Sequence, residues 1–349
     1  ARLPSPADAD VVVSATRLET WADCPHAYFA RYVLGVDAVE DPEEQHTISP
    51  LDLGTLVHES LDRWLRAALA EGAVPAPGTP WPAPWRQRLL TIGADLSDEL
   101  EARGQSGRRL YWQRDRRRML EDLARFVDFD DERRTTEQTT PIESELAFGM
   151  PGSDEPPVEI ALADGRTLRL RGSIDRVDLS ADGGIGVVDY KTGSSRSYKG
   201  LSADDPAPGG THLQLVLYAA AARRVLDRPD APVHGAYWFV STKGRFEPLG
   251  YAITPAVSTT VLDTVARIVD GITAGLFPPH PVEPRFLPFV PCDYCDPDGL
   301  GTRHQHRDWL RKRHDPALVP YLVVADPDLV ALAGAGADHE ADQGAERDG

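Results

Sequence analysis

Apolar residues in the first part of the chain recur every three or four positions, which is the spacing of an amphipathic helix. Residues 14–35 show this pattern, and Ser14 is a suitable N-cap for a helix that begins there. Residues 53–70 repeat the pattern. A loop rich in proline and glycine follows at 72–84, and an arginine-rich helical segment then continues to about Val127. The sequence therefore predicts a helical N-terminal region.

From about residue 140 the pattern changes to short runs that are apolar or alternating and that end at Gly, Asp or Pro turns. Helices are predicted at 211–226 and 257–275, between and after these strands. This order predicts an α/β fold with a mixed β-sheet flanked by helices, a helical insertion at about 60–135 and a core at about 140–255. The predicted strands are 141–149, 166–179, 184–191, 233–240 and 246–253.

The composition is typical of a soluble globular protein, with 41% hydrophobic and 26% charged residues. No apolar run approaches the ~20 residues that a membrane-spanning helix needs. The first residues also lack the charged and then apolar order of a secretory signal. We therefore expect a cytoplasmic protein that has no membrane partner.

Charge is spread unevenly along the chain. The net charge of −18 argues against a simple nucleic-acid-binding protein. Residues 326–349 hold seven acids against one arginine and are predicted to be a disordered tail. In contrast, Arg103–Arg118 contains seven arginines and one aspartate, and Arg303–Arg313 contains five basic residues and one aspartate. These two basic blocks either contact phosphates or form solvated helix faces.

The stretch VVDYKTG contains the side chains that indicate which reaction the protein could catalyse. On a strand, Asp189 and Lys191 project from one face, and the residues beside them project from the other. A carboxylate suits a hard cation such as Mg²⁺, and a neighbouring lysine can orient or deprotonate a water and offset charge on a phosphorane. A tight turn near 182–184 brings Asp175, on the preceding strand, within reach of the same ion. An isolated Asp–Lys pair is usually a surface ion pair, but the presence of Asp175 favours a metal site.

At these residues the sequence resembles the RecB-type branch of the PD-(D/E)XK nucleases, over roughly residues 14–320. The matching blocks are LGTLVHESLD, GSIDRVD, VVDYKTG and HLQLVLYA, in the family's order. The resemblance implies a restriction-endonuclease-like fold, one nuclease domain over residues 1–325, and Mg²⁺ or Mn²⁺ as the cofactor. It implies His58, Asp175, Asp189 and the Tyr190 carbonyl as metal ligands, and Glu145, Asp175, Asp189, Lys191, Gln214 and Tyr218 as the catalytic set.

Two of these residues also have simpler interpretations, and a third is chosen from two neighbouring glutamates. A histidine on the apolar stripe of a helix, such as His58, is usually a buried core residue with a hydrogen bond. Gln214 and Tyr218 share a helix face, where the tyrosine could simply pack in the core. Glu143 and Glu145 lie on the same predicted strand, and Glu145 is preferred because ELAF approximates the family pattern E-x-x-F.

The three cysteines are Cys24, Cys292 and Cys295. In the iron-sulfur members of the RecB-type family, one cysteine precedes the nuclease core and three follow it. The resemblance therefore implies a [4Fe-4S] cluster that joins Cys24 to a cysteine segment at about 285–320. The expected position of the fourth cysteine is Gly301, so a cluster, a zinc ion with histidine ligands and no metal are alternatives. They predict different metal contents in anaerobically purified protein.

The leading hypothesis is a metal-dependent deoxyribonuclease that hydrolyses single-stranded DNA from an end, in repair or recombination. The exonuclease specificity comes from the resemblance alone. Arginines of 103–118 are expected to hold the strand, with base stacking on an aromatic residue such as Trp112, whose alternative role is simple packing. The chain contains no G-x-x-x-x-G-K-[ST] motif, so any helicase partner would be a separate subunit. The alternatives are a non-catalytic DNA-end-binding module of a helicase–nuclease complex and, ranked last, a redox or metal-sensing protein.

Overall fold

Strands of two sheets form the centre of the molecule in the computed structural model, which describes residues 3–36, 46–281 and 303–331, with only the backbone at 303–305. These strands are β1 Val12–Val13, β2 Thr139–Phe148, β3 Val158–Ala161, β4 Thr167–Leu170, β5 Gly172–Ser180, β6 Ile185–Lys191, β7 Val233–Phe239 and β8 Pro248–Ala252.

Helices cover both faces of the larger sheet. They are α1 Ala15–Asp23, α2 Pro25–Tyr28, α3 Pro50–Ala70, α4 Ala83–Ala102, α5 Arg109–Glu137, α6 Gln214–Val225, α7 Pro255–Thr273, α8 Arg303–Lys312 and α9 Val319–Ala325.

The larger sheet has the order β2-β5-β6-β7-β8, and the smaller one has the order β1-β4-β3. Neighbours joined by tight turns are antiparallel, whereas β6 and β7 are parallel because α6 connects them. The larger sheet is therefore mixed and flanked by helices, as the hydrophobic pattern predicts.

Two hydrophobic cores lie on opposite faces of this sheet. The first core includes residues of α1, α6, α7 and α9, and the second is built mainly by α3, α4 and α5. Strand β6 contributes to both, because Val187 packs in the first core while Val188 and Tyr190 pack in the second. The alternation places Asp189 and Lys191 on the same side as Val187, the side that α6 covers.

The predicted strand 166–179 is in fact two strands in different sheets. Strand β4 ends before Arg171, whose N–H donates to the Val13 oxygen at 2.8 Å, and β5 begins at Gly172 in the larger sheet. The alternating pattern continues through this junction, so the hydrophobic periodicity alone does not reveal it.

The predicted helix over 14–35 is interrupted at Cys24. Its N-cap is confirmed, since the Ser14 hydroxyl accepts a hydrogen bond from the Arg17 N–H at 3.2 Å. Pro25 disfavours helical backbone at Cys24, which is extended, so α1 ends there and α2 begins at Pro25. A π-helical turn at Phe29–Val33 follows.

A buried network of charged side chains joins α5 to the sheet. Arg176 on β5 contacts Asp130 on α5 at 2.5 Å and Asp178 at 2.6 Å, and all three side chains are fully buried. Arg134 on α5 contacts the same Asp130 at 2.9 Å. The predicted helical insertion is thus fixed to the strand that carries Asp175.

The beginning of the predicted acidic tail is folded. Residues 327–331 form a helical turn, and Leu329 and Val330 pack against the first core. The predicted boundary at residue 326 is therefore too early, and residues 332–349 lie outside the described part of the chain.

Among the described helices, none combines the length and the apolar character that crossing a membrane requires.

Candidate active site

Two acidic residues face each other on neighbouring strands of the larger sheet. The pairs Ser144–Arg176 and Leu146–Ile174 flank Glu145 on β2 and Asp175 on β5. Glu145 has a φ of 48°, in the left-handed region that non-glycine residues rarely adopt. Such a backbone costs roughly 1–3 kcal/mol and occurs often where it positions a functional group.

His58 of α3 completes a group of three potential metal ligands with Glu145 and Asp175. One ligand atom from each residue lies within 4.8 Å of the others. The His58 Nδ1 is 3.4 Å from Asp175 Oδ1, while the Tyr190 N–H donates to Asp175 Oδ2 at 2.6 Å. The Ser173 hydroxyl donates to Glu145 Oε2 at 2.5 Å. The backbone amide and the hydroxyl therefore fix both carboxylates.

The site is open to solvent on the α3 side. His58 and Glu145 line a cavity of about 490 Å³ together with residues of the first turns of α3. His58 is therefore not a core histidine, although it lies on the apolar stripe of its helix.

Burial and neighbouring charges shift the pKa values of Glu145 and His58. Burial raises the pKa of Glu145, and the negative charge of Asp175 adds to this increase. Burial by itself would lower the pKa of His58, but its hydrogen bond with Asp175 and the nearby carboxylates raise it above its ordinary value. Crowded carboxylates of this kind favour a bound proton or a nearby cation, which reduces their mutual repulsion.

Asp189 and Lys191 form an ion pair beside this group. Asp189 is 4% exposed, and burial raises its pKa, whereas Lys191 opposes this shift. Burial would lower the pKa of Lys191, but the charge of Asp189 raises it above the ordinary value of a lysine. Lys191 is consequently an ammonium group in this arrangement. The group of three clustered ligands does not include Asp189, whose carboxylate pairs with this ammonium.

Helix α6 brings the predicted Gln214 and Tyr218 to the same place. Gln214 Oε1 accepts a hydrogen bond from Lys191 Nζ at 3.3 Å. Tyr218 is 6% exposed and packs edge-on against Phe148, while its hydroxyl has a side-chain hydrogen bond with Gln214. Tyr218 thus packs in the core and also holds Gln214.

Gly172 is required for this packing. A Cβ atom at Gly172 would lie 2.9 Å from the Tyr218 Cε1 atom and 3.1 Å from the Phe148 ring. Only glycine lets β5 pass this closely beneath α6, which gives a physical reason for the glycine in the block GSIDRVD.

The Tyr190 side chain lies on the opposite face of β6. Its ring centroid is 5.8 Å from that of Phe126 and 5.9 Å from that of Trp238, in the second core. Only the backbone of Tyr190 reaches the site, through the N–H that binds Asp175. The Tyr190 carbonyl stays a predicted metal ligand.

Sequence comparison identifies the family to which this site belongs. The pattern of the PD-(D/E)XK nuclease superfamily matches residues 12–298. The chain belongs to this superfamily. The match and the five-stranded mixed sheet together confirm the predicted restriction-endonuclease-like α/β fold.

Relatives of this chain include proteins that are named as one subunit of an ATP-dependent helicase/deoxyribonuclease. The protein from Clostridioides difficile is 30% identical over 223 residues, which are 60% of this chain and 17% of the relative. The protein from Symbiobacterium thermophilum is 32% identical over 217 residues, with the same two shares of 60% and 17%. The match therefore covers a small part of each relative.

The clustered donors fit a divalent metal, which PD-(D/E)XK nucleases use. Donor atoms on opposite sides of one ion are ~4.2 Å apart for Mg²⁺ and up to ~5.2 Å apart for Ca²⁺, given metal–oxygen distances of about 2.1 and 2.6 Å. The His58, Glu145 and Asp175 donors lie within 4.8 Å of one another, a limit that fits a Ca²⁺ shell and is ~0.6 Å wider than a Mg²⁺ shell. Carboxylate oxygens are also the ligands that hard cations prefer.

The pattern of the sequence did not indicate one further residue at the candidate active site. Glu19 on α1 accepts a hydrogen bond from the Leu213 N–H at 2.6 Å and a second from the Gln214 N–H. The residue that precedes α6, Leu213, has no capping side chain of its own, so Glu19 caps this helix from α1. The contact joins residues 194 positions apart, and Glu19 otherwise resembles any acid on an amphipathic helix.

The cysteine prediction falls mostly outside the described residues. Cys24 is buried, and its Sγ accepts a hydrogen bond from the His280 N–H at 3.5 Å. Cys292, Cys295 and Gly301 lie in the part of the chain that the structure does not describe.

The expectation that Trp112 stacks on a DNA base is wrong. Its side chain is 1% exposed in the second core, and its Nε1–H donates to Glu101 at 3.1 Å. Three arginines of the same block also form ion pairs, Arg114 with Asp115 at 2.9 Å, Arg116 with Asp98 at 2.7 Å and Arg117 with Glu121 at 3.8 Å. Trp112 and Arg116 thus contact α4, whereas Arg114 and Arg117 pair within α5.

Proposed function

We propose that this chain is the metal-dependent nuclease domain of a DNA-processing assembly, and that it hydrolyses single-stranded DNA from an end. The observation that supports this most is the juxtaposition of a three-ligand group on α3, β2 and β5 with the charged Lys191 on β6. The choice of DNA as the substrate follows from the name of the relatives, and the preference for ends and single strands follows from the RecB-type resemblance.

His58, Glu145 and Asp175 would hold a Mg²⁺ or Mn²⁺ ion, with Asp189 beside them as a further ligand. When bound, such an ion lowers the pKa of a coordinated water and withdraws charge from a phosphoryl oxygen. The Tyr190 amide fixes one oxygen of Asp175, so the other oxygen lies on the His58 side.

Lys191 supplies positive charge next to the scissile phosphate. Because its ammonium lies against Asp189 and Gln214, we assign Lys191 the role of hydrogen-bond donor and charge stabiliser, which orients the attacking water, rather than that of a base. The hydrogen bond to Gln214 fixes the ammonium, and Tyr218 in turn holds Gln214. In this arrangement Lys191 does not accept a proton from the attacking water.

The relatives' name supports a helicase partner, supplied as a separate subunit or domain. The competing function is a non-catalytic module that binds DNA ends in such a complex. The filled positions Asp175, Asp189 and Lys191 favour catalysis, because a module that only binds ends does not need a charged lysine against buried carboxylates.

The mode of cleavage is tested with four substrates of one sequence in Mn²⁺: a linear single strand, a covalently closed single-stranded circle, a duplex and an RNA strand. We expect a ladder of short products from the linear DNA strand and an intact circle. Cutting of the circle would replace the exonuclease assignment by an endonuclease one. Tight binding of linear DNA without cleavage of any substrate would support the non-catalytic module instead.

Replacing Glu19 is expected to increase the stability of the protein and to decrease its activity. Burial raises its pKa to about 6 from an ordinary value of 4.5. The folded protein therefore disfavours the ionised carboxylate, and the stability that Glu19 contributes is greatest below pH 4.5 and falls as the pH rises to about 6. We expect Glu19→Gln to raise the free energy of unfolding by up to about 2 kcal/mol above that pH.

The same substitution should lower the cleavage rate by on the order of 10-fold, because a neutral amide oxygen holds the Leu213 and Gln214 N–H groups of α6 less strongly than a carboxylate does. Urea unfolding at pH 5 and pH 8, with single-turnover cleavage, measures both effects. Glu71→Gln, at an exposed glutamate of the α3 C-terminus, is the matched control. A Glu19→Gln protein that is less stable and fully active would refute this role.

A further inference from the structure

A cleft next to the candidate active site is lined only by serines and cations. It has a volume of about 770 Å³, and its lining residues are Ser194, Ser195, Arg196, Ser197, Lys243 and Arg245. We name it the serine–cation cleft. It begins three residues after Lys191, and none of its lining residues is an acid, although the chain carries a net charge of −18.

The cleft lies where an open sheet commonly binds ligands. Strands β6 and β7 are parallel neighbours, with Lys191 opposite Phe239 at their carboxyl ends. One side of the cleft follows β6 and the other follows β7. Ligands of α/β sheets bind in crevices outside the carboxyl ends of parallel strands, where two chain segments diverge.

The two loops that form the cleft are fixed to each other. The Ser241 hydroxyl donates to the Thr192 oxygen at 2.9 Å, and the Val240 N–H donates to the Lys191 oxygen at 2.9 Å. A Cβ atom at Gly244 would lie 2.9 Å from the Gly193 oxygen, so the loops are in close backbone contact. The cleft is thus formed before any ligand binds.

Its far wall is held in an unusual backbone conformation. Arg245 and Phe246 both have left-handed φ angles, of 64° and 56°. Two such residues in a row cost roughly 1–3 kcal/mol each unless packing compensates. Phe246 is buried and stacks on Phe129 with ring centroids 4.6 Å apart, and this packing anchors the turn that carries Arg245.

The three cations of the cleft have no carboxylate partner among the described residues. Arg196, Lys243 and Arg245 are exposed and occur in none of the ion pairs of this part of the chain. Arginine and lysine side chains with serine hydroxyls are the donors that proteins direct at phosphate oxygens. The lining contains no aromatic ring on which a base could stack.

We propose that the serine–cation cleft binds a backbone phosphate of the DNA strand adjacent to the scissile phosphate, independently of base sequence. This inference rests on the proposed function. The cleft would place the strand along the ends of β6 and β7 and so present one phosphodiester to Lys191. It also supplies the positive charge that the paired arginines Arg114 and Arg116 of α5 do not provide.

The test is a variant carrying Arg196→Gln, Lys243→Gln and Arg245→Gln. Binding of a fluorescent 20-nucleotide single strand is measured in Ca²⁺ over a series of salt concentrations. We expect the affinity to fall on the order of 10-fold and the salt dependence of log K to decrease by about 0.7, as the loss of one neutralised phosphate on a single strand requires. The turnover of bis(p-nitrophenyl) phosphate in Mn²⁺, which has no adjacent phosphate, should stay unchanged.

The matched control removes the same charge elsewhere, through Arg224→Gln, Arg228→Gln and Arg267→Gln at exposed arginines. Equal losses of DNA affinity in both triple variants would show a general charge effect and overturn the cleft assignment, as would unchanged affinity and salt dependence in the cleft variant. If the wild type binds DNA through the cleft but cleaves neither DNA nor the small ester, the nuclease proposal fails while the cleft proposal stands.

Discussion

Replacing Lys191 by alanine is expected to lower the rate of DNA cleavage by about 10² to 10⁴, the range for losing a positioned acid–base or electrostatic group. The ammonium lies against Asp189 and Gln214, and the Lys191 side chain is 24% exposed. The loss should appear in the single-turnover rate, because Lys191 acts on charge that develops during the reaction. The affinity for DNA, measured in Ca²⁺, should change little.

Lys312→Ala is the matched control, since it removes an exposed lysine from α8. It should leave the single-turnover rate unchanged. If Lys191→Ala cleaves DNA as fast as Lys312→Ala does, Lys191 has no catalytic role. If Lys191→Ala loses DNA affinity in proportion to its rate, Lys191 binds substrate and does not stabilise the transition state.

Replacing Arg176 by methionine is expected to lower the free energy of unfolding by about 3–5 kcal/mol, the usual result of breaking a buried ion pair on one side. Arg176 is fully buried between Asp130 and Asp178. Its removal leaves two buried carboxylates short of positive charge, and Arg134 and Arg133 compensate only in part.

Urea unfolding at pH 7 measures this effect, with Arg63→Met as the control because Arg63 and Glu59 form an exposed pair. The control should change the free energy of unfolding by less than about 1 kcal/mol. Burial would raise the pKa of Asp130, but Arg176 and Arg134 hold it below its usual range. Its contribution to stability is therefore present at neutral pH and is lost as the pH falls below the ordinary range of an aspartate. An Arg176→Met protein as stable as the wild type would contradict this account.

Most elements of the fold can be predicted from the sequence, because their periodicity directly reflects burial. Strand β6 shows this, since its alternation places Val188 and Tyr190 in one core and Asp189 and Lys191 on the other side. The predicted element boundaries are wrong where a proline or the pairing with a neighbouring strand determines where an element ends. Pro25 ends α1 at Cys24. The hydrogen bond from the Arg171 N–H to the Val13 oxygen marks the end of β4, which belongs to the smaller sheet.

The structure brings together the site residues that have a recognisable spacing, but residues that act through tertiary contacts have no such pattern. Glu19 reaches the amide of Leu213 across 194 positions, and Arg176 is charged in a strand position where the periodicity predicts only burial. Trp112 shows the opposite error, because an aromatic residue among arginines suggests a nucleic-acid contact, yet the ring packs between helices. In each case the surroundings of the side chain are determined by tertiary packing and not by the local sequence.

The most direct measurement of the central claim is cleavage of an end-labelled single strand by protein that has been stripped with a chelator. We expect no cleavage in the chelator and recovery of cleavage on addition of Mg²⁺ or Mn²⁺. Asp175→Asn should not recover cleavage, although it should still bind the strand in Ca²⁺. Cleavage that persists in the chelator, or an Asp175→Asn protein that regains the wild-type rate when the ion is added, would contradict the assignment of this site as a metal-dependent nuclease centre.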